Sequence, residues 1–560
     1  MFIKSLTIKN YRSIKSLTLE PTNLCALIGP NSVGKTNILK ALDILLGETY
    51  PTERAFKNED FFNGDVNQTI SIQVDFVESL GNFKLTNKES RQKENCQPIS
   101  LKFTHTKNIN EYFRTQFTAI TADQKEYWGN GDVRESISFL YIPSERNLEK
   151  QMTTSQWTLL GKILSKINEN FSQRSQGEEL NEREKKFREA MKSPRTILES
   201  DFGTKENVTY AKFKKEFIST CLEMAGGLTD SFGLDLEIYD PLFYYKTVQI
   251  IGNEVKKSYN IQELGSGVQN LVLLALVRTY ASLFKGKVVL AIEEPEIFLY
   301  PQAQRHLYEN FRSLAYSNKG KSNQIFYTTH NPNFVDSYHF SEIEILRKYD
   351  DKGTINIKKN KKYLTDETVG KDKFRIYTNF NLERNELFFA QKIILVEGDS
   401  DKILWTTLCE EKWGIRLNKS GVSIIECGGK GGVNYFVGVC DLMGLTNYFA
   451  VWDQDSKSYS PKRDCLKIAL KNGKGIEIKG NLEKFLGLSE GKDVDKVKNA
   501  YEWAIKVDLD KIPKEFLIIK EFINDKDHEG DEKEKAIQVE EIIETEVEQK
   551  NNTSPDDIPF

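Results

Sequence analysis

The hydrophobic positions of this chain follow two periods, and the change from one period to the other outlines its architecture. Apolar and polar residues alternate through most of residues 2–28, and again at 70–78 and 136–143, which predicts β-strands. From Asn37 to Leu46 the apolar residues instead share one face of a helix. A strand, a short polar loop and a helix therefore open the sequence.

The middle of the chain has a helical pattern and is richer in charge. Between about Ser144 and Met224 the charged residues increase, most clearly in the stretch 180–194. We interpret this segment as a helical arm inserted into the first domain, of the kind that pairs with another subunit. Strand patterns resume at 287–294 and 323–330.

The last third of the chain has the pattern of a second α/β unit. Short apolar strands at 392–398, 422–427 and 448–455 are separated by helical segments, which predicts a mainly parallel sheet. A lysine-rich stretch, 355–375, predicts a linker or hairpin before this unit, and residues 526–560 form an acidic tail.

Composition narrows the classes of protein. The 560 residues carry 78 Lys and Arg against 82 Asp and Glu, a net charge of −4, which excludes a uniformly basic nucleic-acid coat but not a local basic groove. The longest apolar run, 271–277, is far below the ~20 residues that cross a bilayer. Seven scattered cysteines without a CxxC pair argue against a disulfide framework or a zinc ribbon. With no secretory signal at the N-terminus, we expect a cytoplasmic protein.

The loop after the first strands has the residues of a phosphate-binding loop. The sequence Gly-Pro-Asn-Ser-Val-Gly-Lys-Thr, residues 29–36, fits the pattern G-x-x-x-x-G-K-[ST] and lies between a predicted strand and a predicted helix. Gly29 and Gly34 let the backbone N–H groups, including that of Asn31, face phosphates. Lys35 is expected to reach the β- and γ-phosphates, and the Thr36 hydroxyl to bind Mg²⁺.

Three further segments carry groups that suit a nucleotide site. The apolar strand that starts at Lys287 ends in Glu293 and Glu294, which we expect to hold the hydration shell of Mg²⁺ and to orient or deprotonate the attacking water. Ser266 and Gly267 open a helix whose N-terminus can bind a phosphate. His330 ends another strand, where its imidazole is expected to reach a γ-phosphate.

The order of these motifs resembles the ATP-binding-cassette ATPases of the structural-maintenance-of-chromosomes and RecF type. In that group two heads enclose ATP, so the resemblance implies a dimer in which Ser266 and Gly267 complete the site of the other subunit. Two residues depart from the group: Gly265 replaces the first serine of the signature, and Glu293 replaces an aspartate. Both departures are expected to slow hydrolysis, which favours ATP as a gate rather than a fuel.

Acidic residues follow two strands of the second unit. Glu397 comes directly after one apolar strand, and Asp453 and Asp455 end another. Because the carboxyl ends of adjacent parallel strands meet in one crevice, these acids are expected to converge there. Such a concentration of negative charge requires bound cations, and its oxygen ligands suit Mg²⁺ or Mn²⁺. Two such ions can activate water and stabilise the leaving oxygen of a phosphodiester.

The arrangement strand-Glu-Gly followed by strand-Asp-x-Asp resembles the TOPRIM fold of topoisomerases, primases and some nucleases. The glycine-rich turn 428–432 and the later Glu483 match further parts of that pattern, and Glu483 is implied as another carboxylate ligand. Asp401 is a candidate ligand of a second metal ion, and Lys430 is a candidate phosphate contact. The choice of a later catalytic lysine stays open among Lys511, Lys514 and Lys520.

An ATPase head followed by TOPRIM resembles the OLD (overcoming-lysogenization-defect) family of nucleases, which includes the nuclease subunits of Gabija systems and retron-associated effectors. The implied fold is α/β, with an ABC-type head, an inserted helical dimerisation arm and a TOPRIM domain. The expected limits are 1–150 and 231–375 for the two halves of the head, 151–230 for the arm, 385–525 for TOPRIM and 526–560 for the tail. The resemblance implies Mg²⁺-dependent DNA cleavage regulated by ATP, assembly through heads and arm, a role in phage defence, and an accessory helicase or retron RNA–DNA.

Other functions compete with this hypothesis. The second hypothesis is a non-catalytic, ATP-dependent DNA clamp or sensor. The third is topoisomerase chemistry, in which a tyrosine attacks DNA; the chain has 23 tyrosines but no recognisable breakage domain. A transporter ATPase has no use for TOPRIM. Contact with DNA is expected from local patches, with Lys358, Lys359, Lys361 and Lys362 as candidates.

Overall fold

The computed structural model describes residues 2–47, 50–107, 113–144, 154, 158–171, 182–200, 209–225, 242–245, 247–254, 257–280, 288–316, 323–335, 337–357, 384–454, 464–488 and 493–525. The chain divides into two compact units, residues 1–144 with 287–560, and residues 145–286. Asp455, the tail 526–560 and most of the lysine-rich stretch, with its four candidate lysines, lie outside the described residues. The five domain limits stay a prediction.

Both strands and helices occur throughout the described residues. The strands are β1 Ile3–Tyr11, β2 Ile14–Leu19, β3 Leu24–Ile28, β4 Ile70–Phe76, β5 Phe83–Asn87, β6 Lys93–Cys96, β7 Pro98–Lys107, β8 Phe113–Thr121, β9 Glu126–Trp128, β10 Ser138–Ile142, β11 Ile251–Glu254, β12 Lys257–Asn260, β13 Val288–Glu293, β14 Gln324–Thr328, β15 Ile343–Tyr349, β16 Gly353–Asn356, β17 Lys392–Val396, β18 Val422–Glu426, β19 Tyr448–Asp453 and β20 Gly475–Ile478. The helices are α1 Lys35–Leu46, α2 Gly131–Glu135, α3 Leu159–Phe171, α4 Glu182–Ala190, α5 Lys192–Glu199, α6 Tyr210–Ala225, α7 Leu242–Tyr245, α8 Ser266–Tyr280, α9 Pro301–Ala315, α10 Asp399–Thr407, α11 Lys430–Met443, α12 Cys465–Lys471, α13 Leu482–Phe485, α14 Asp493–Lys506 and α15 Lys514–Asn524.

The larger sheet brings the nucleotide motifs to one edge. Its strands run in the order β10-β13-β14-β3-β15-β16-β2-β1-β4-β7-β8-β9-β5-β6. The first five are parallel to one another, whereas the strands from β16 onward pair antiparallel. Because β14 lies between β3 and β13, the strand that ends near His330 separates the phosphate-binding loop from the acidic strand end. The carboxyl ends of these parallel strands share one edge of the sheet.

Helix α1 follows the loop and packs its apolar face onto this sheet. The helix begins at Lys35, and its buried apolar side chains include all those that the sequence pattern assigns to one face: Ile38, Leu39, Leu42, Leu45 and Leu46. Burial of each such side chain contributes roughly 1.5–3 kcal/mol. The predicted helix is therefore confirmed, and its packing fixes the loop that precedes it.

The unit of residues 145–286 is mainly helical in its described part. It contains α3 to α8 and one antiparallel hairpin, β11 with β12. Helix α3 packs against α7 and α8, and its buried residues include Leu160 and Leu164. The pairing of this segment with another subunit stays a prediction.

The second sheet has four parallel strands in the order β18-β17-β19-β20. The strands are short and apolar, because helices cover them. On one side the core contains Trp405 and Phe516, whose ring centroids are 4.4 Å apart. The mainly parallel α/β unit predicted for the last third of the chain is confirmed.

None of the helices in the described ranges is both long enough and apolar enough to cross a lipid bilayer.

Candidate functional site

The phosphate-binding loop adopts the backbone that its glycines permit. Gly29 and Gly34 have φ of +146° and +105°, a region that residues with a Cβ rarely occupy. A Cβ on Gly34 would also meet the hydroxyl oxygens of Ser13 and Thr354. Within the loop, Asn31 is exposed. The geometry predicted for the loop is therefore present, although its role as a nucleotide site stays a prediction.

The Lys35 ammonium is folded back onto the loop. Its Nζ donates hydrogen bonds of 2.9 Å to the carbonyls of Gly29 and Pro30, and Lys35 is only 7% exposed. Burial lowers the pKa of Lys35 to about 8, against the opposing effect of the nearby Glu294 and Glu296. A bound phosphate would compete for this charge. The adjacent Thr36 is half-buried in the first turn of α1.

The two glutamates at the end of β13 point to different partners. The carboxylate of Glu293 accepts hydrogen bonds from the Tyr141 hydroxyl (2.7 Å) and the Ser144 N–H (3.0 Å). Glu294 has φ of +41°, and its N–H donates to the Thr328 carbonyl at 3.0 Å. A left-handed conformation at a residue other than glycine costs energy and often marks a functional position.

His330 lies beside Glu294, as the order of the strands requires. Its Nε2 is 3.8 Å from Glu294 Oε1. Burial and the charge of Lys35 lower the pKa of His330 to about 4, so the imidazole is neutral near pH 7. A neutral imidazole with an N–H group can donate a hydrogen bond to a phosphate oxygen.

Glu296 is an acid of this site to which the sequence pattern assigned no role. Its Oε1 accepts hydrogen bonds from the Thr329 hydroxyl at 2.5 Å and the His330 N–H at 3.3 Å. The residue is 9% exposed, and burial raises its pKa to about 7. Glu296 thus ties the end of β13 to the turn after β14. In the sequence, Glu296 is marked only by its position as the third acid of the Glu-Glu-Pro-Glu motif.

Ser266 and Gly267 form the first turn of α8, as predicted. The side chain of Gln269 donates hydrogen bonds to the carbonyls of Gln262 (3.2 Å) and Leu264 (2.8 Å), which anchors the turn before the helix. These residues belong to the unit 145–286. Their contact with a nucleotide of another subunit stays a prediction.

The acids of the second sheet converge at the ends of two adjacent strands. The backbone N–H of Asp453 donates a hydrogen bond of 2.7 Å to Glu397 Oε1, across neighbouring strands β17 and β19. Asp453 Oδ2 accepts a hydrogen bond of 3.1 Å from the N–H of Leu482, at the start of α13. The position expected for Glu397 beside Asp453 is therefore the one observed.

Asp401 is a buried acid whose pKa is affected by the other three predicted ligands. It is 7% exposed, and its Oδ2 accepts a hydrogen bond of 3.1 Å from the Gly398 N–H. Burial, followed by the charges of Asp453, Glu397 and Glu483, raises the pKa of Asp401 well above its usual range. The charges of three predicted ligands thus act on the fourth, Asp401. We call these four residues the acid cluster.

The donor set of the acid cluster fits a hard divalent cation, since all of its side-chain donors are carboxylate oxygens. Within the described part of the chain, no group of three or more His, Cys, Asp or Glu side chains is arranged so that it could hold a metal ion. Glu397, Asp401 and Asp453 each accept a hydrogen bond from a main-chain N–H, which fixes the orientation of these carboxylates.

Lys430 is held beside the acid cluster by a residue that sequence reasoning missed. Its Nζ donates hydrogen bonds to the Asp453 carbonyl (2.8 Å) and to Glu477 Oε1 (3.2 Å). Trp452 Nε1 donates to the same Glu477 oxygen at 3.1 Å. Glu477 therefore positions Lys430. The position of Glu477 in the short strand β20 gave no signal of this role.

Known protein families match both parts of the chain. The AAA ATPase domain family matches residues 1–127 and 81–335, and the overcoming-lysogenization-defect-like TOPRIM domain matches residues 388–455. The chain is an OLD-family protein with an AAA ATPase domain. The resemblance to the OLD family is therefore confirmed, and so is the α/β fold with an ATPase domain before TOPRIM.

Three curated relatives are similar to most of this OLD-family chain. It is 26% identical to an OLD nuclease of Thermus scotoductus over 81% of this chain and 82% of that protein. It is 22% identical to the Old nuclease of Escherichia phage P2, over 79% and 75%. It is 24% identical to the endonuclease GajA of Bacillus cereus, over 83% and 76%. The two domains imply the use of a nucleotide and of a divalent metal ion.

Proposed function

We propose that this OLD-family protein is an ATP-regulated, metal-dependent DNA endonuclease that acts in defence against phage. The names of its relatives support a nuclease. The observation that carries the proposal is the acid cluster, in which Glu397 and Asp453 lie at the ends of adjacent parallel strands and their charges, with that of Glu483, act on the buried Asp401. A non-catalytic clamp would have no need for four acids in one half-buried cluster.

The residues of the acid cluster are proposed to hold the metal ions, with Asp455 as a further ligand. Bound Mg²⁺ or Mn²⁺ would supply the positive charge that activates water and stabilises the leaving oxygen of a phosphodiester. The chain itself supplies orientation. Lys430, held by Glu477 and the Asp453 carbonyl, is placed to contact a DNA phosphate beside the acids.

The ATPase domain is proposed to bind ATP with Mg²⁺ at residues 29–36. Lys35 would exchange its two loop carbonyls for the β- and γ-phosphates, while Thr36 and Glu293 hold the metal ion and its water. Glu294 would orient the attacking water, and the neutral His330 would donate to the γ-phosphate. In a homodimer or higher oligomer, Ser266 and Gly267 of the opposite subunit would complete the site.

A plasmid assay tests the proposed nuclease. The purified protein is incubated with supercoiled plasmid and Mg²⁺ or Mn²⁺, with and without ATP, and nicked and linear products are measured. Glu397→Gln should lower the rate about 100-fold or more and leave ATP binding intact. Glu410→Gln, an exposed glutamate on the segment after α10, is the matched control and should cleave normally. Binding of plasmid without cleavage by the wild type under either metal would support the clamp instead.

A further inference from the structure

Two adjacent residues connect the turn beside the ATPase acids to the TOPRIM domain. Arg384 and Asn385 begin a short 3₁₀ helix, Arg384–Phe388, that precedes β17. The Asn385 amide donates hydrogen bonds to the carbonyls of Pro332 (3.1 Å) and Val335 (3.2 Å). Both carbonyls belong to residues 329–335, the turn after β14, which we call the sensor turn.

Hydrogen bonds join the sensor turn to Glu296 and hold the two ends of the turn. The Thr329 hydroxyl donates to Glu296, and it also accepts the N–H of Asn331 at 2.9 Å. At the other end of the turn, the buried Tyr327 hydroxyl donates to the Phe334 carbonyl at 2.7 Å. A movement of His330 toward or away from a phosphate would therefore displace the carbonyls that Asn385 binds.

Arg384, the neighbour of Asn385, binds the end of β18, and the turn after this strand contacts Glu397 of the acid cluster. Its Nε donates to the Glu426 carbonyl at 2.7 Å, and its Nη2 to Glu426 Oε2 at 2.5 Å. The second carboxylate oxygen of Glu426 accepts the Gly428 N–H at 2.7 Å. The next N–H, that of Gly429, donates to the Glu397 carbonyl at 2.7 Å. Lys430 follows directly in the chain.

We propose that Arg384 and Asn385 are positioning residues, through which the state of the nucleotide site sets the geometry of Glu397 and Lys430. The inference rests on the proposed function and names the route of its regulation. Because the two residues are consecutive in one helical turn, a shift taken up by Asn385 moves the backbone of Arg384. Arg384 binds Glu426 through two donors, one to the backbone carbonyl and one to the carboxylate. The charge-assisted bond to the carboxylate is strong and directional, which suits transmission of a small displacement.

Hydrogen exchange measures this coupling without relying on cleavage. Amide exchange in residues 427–433 is recorded with and without a non-hydrolysable ATP analogue and Mg²⁺. In the wild type, the analogue should change exchange of these amides about threefold or more, as expected for a shift in local opening. In Asn385→Ala the same peptide should give no nucleotide response, although the variant binds the analogue normally. Arg384→Lys, which keeps the charge but loses the fork, should give an intermediate response.

The matched control is Asn23→Ala, which removes another side-chain amide bond to a carbonyl, that of Ala315. It should lower thermal stability about as much as Asn385→Ala while keeping the full response. A full response in Asn385→Ala, or none in the wild type, would overturn the inference. Failure of the wild type to cleave plasmid would instead contradict the proposed function. Where cleavage is seen, Asn385→Ala should keep the rate without nucleotide and lose the difference that ATP makes.

Discussion

The backbone N–H of Asp453 donates a 2.7 Å hydrogen bond to Oε1 of Glu397. This bond joins the ends of β19 and β17 at the place where the acid cluster forms. A carboxylate oxygen that already accepts one N–H can still bind a cation through its remaining lone pairs. The same bond therefore fixes the orientation of Glu397 and leaves it able to act as a ligand.

Asp401→Asn tests whether repulsion among the four acids destabilises the metal-free protein and is relieved by a bound cation. Removing one of four acids should stabilise the metal-free protein by about 1 kcal/mol, a few degrees in melting temperature at most. The asparagine can still accept the N–H of Gly398. Differential scanning fluorimetry in EDTA and in Mg²⁺ should show a higher metal-free melting temperature and a smaller gain from Mg²⁺. The exposed Asp399→Asn is the control, and equal gains from Mg²⁺ in wild type and Asp401→Asn would contradict the expectation.

Lys430 and Glu477 should affect cleavage to different degrees. Lys430→Ala removes the cation beside the acids, and a loss of about 100-fold in the single-turnover rate is expected. Glu477→Gln keeps Lys430 but weakens its anchor, so a smaller loss of about 2- to 10-fold is expected. Unchanged cleavage in Lys430→Ala would remove this lysine from the site. Folding of both variants is checked by circular dichroism.

Glu296→Gln should change the pH dependence of stability. The pKa of Glu296 is raised to about 7 from an ordinary value near 4.5, so between these pH values the folded state keeps a proton that the unfolded chain has lost. Wild-type stability therefore falls as pH rises through this window. Glutamine cannot ionise, and the variant should be more stable by about 1–3 kcal/mol at pH 8 but not at pH 4.5.

Thermal melts of wild type and Glu296→Gln at pH 4.5, 6 and 8 make this comparison. Glu309→Gln, an exposed glutamate of α9, should show no such trend. A difference between wild type and Glu296→Gln that stays constant with pH would mean that folding does not shift the pKa of Glu296.

Mixing two inactive variants tests whether the signature acts across a dimer. Lys35→Ala lacks the phosphate-binding lysine, and Ser266→Arg lacks the signature, so neither homodimer should hydrolyse ATP. A mixed dimer has one intact site if Ser266 acts in the opposite subunit, and random mixing should restore about a quarter of the wild-type ATPase rate. If Ser266 acts within its own subunit, mixing restores nothing. Size-exclusion chromatography with light scattering establishes that dimers are present.

Features that depend only on neighbours along the chain follow from the sequence alone. The glycines of the loop 29–36 are dictated by backbone conformation, and α1 and the strands before it by hydrophobic period. The acids Glu397 and Asp453 follow apolar strands, so a parallel sheet alone is enough to bring them together. The order of these local motifs also carried the assignment to the OLD family.

The distant groups that hold the sites in place become known only from the folded chain. Glu477 lies 47 residues from Lys430, and Arg384 lies 42 residues from Glu426. Neither pair has a motif, because a salt bridge between remote segments leaves no periodic trace in either segment. The sequence presents Glu296 as one more acid in a motif, whereas burial beside Thr329 sets its pKa. Local patterns thus identify the candidate site residues, whereas the residues that position them are brought there by the packing of elements far apart in the chain.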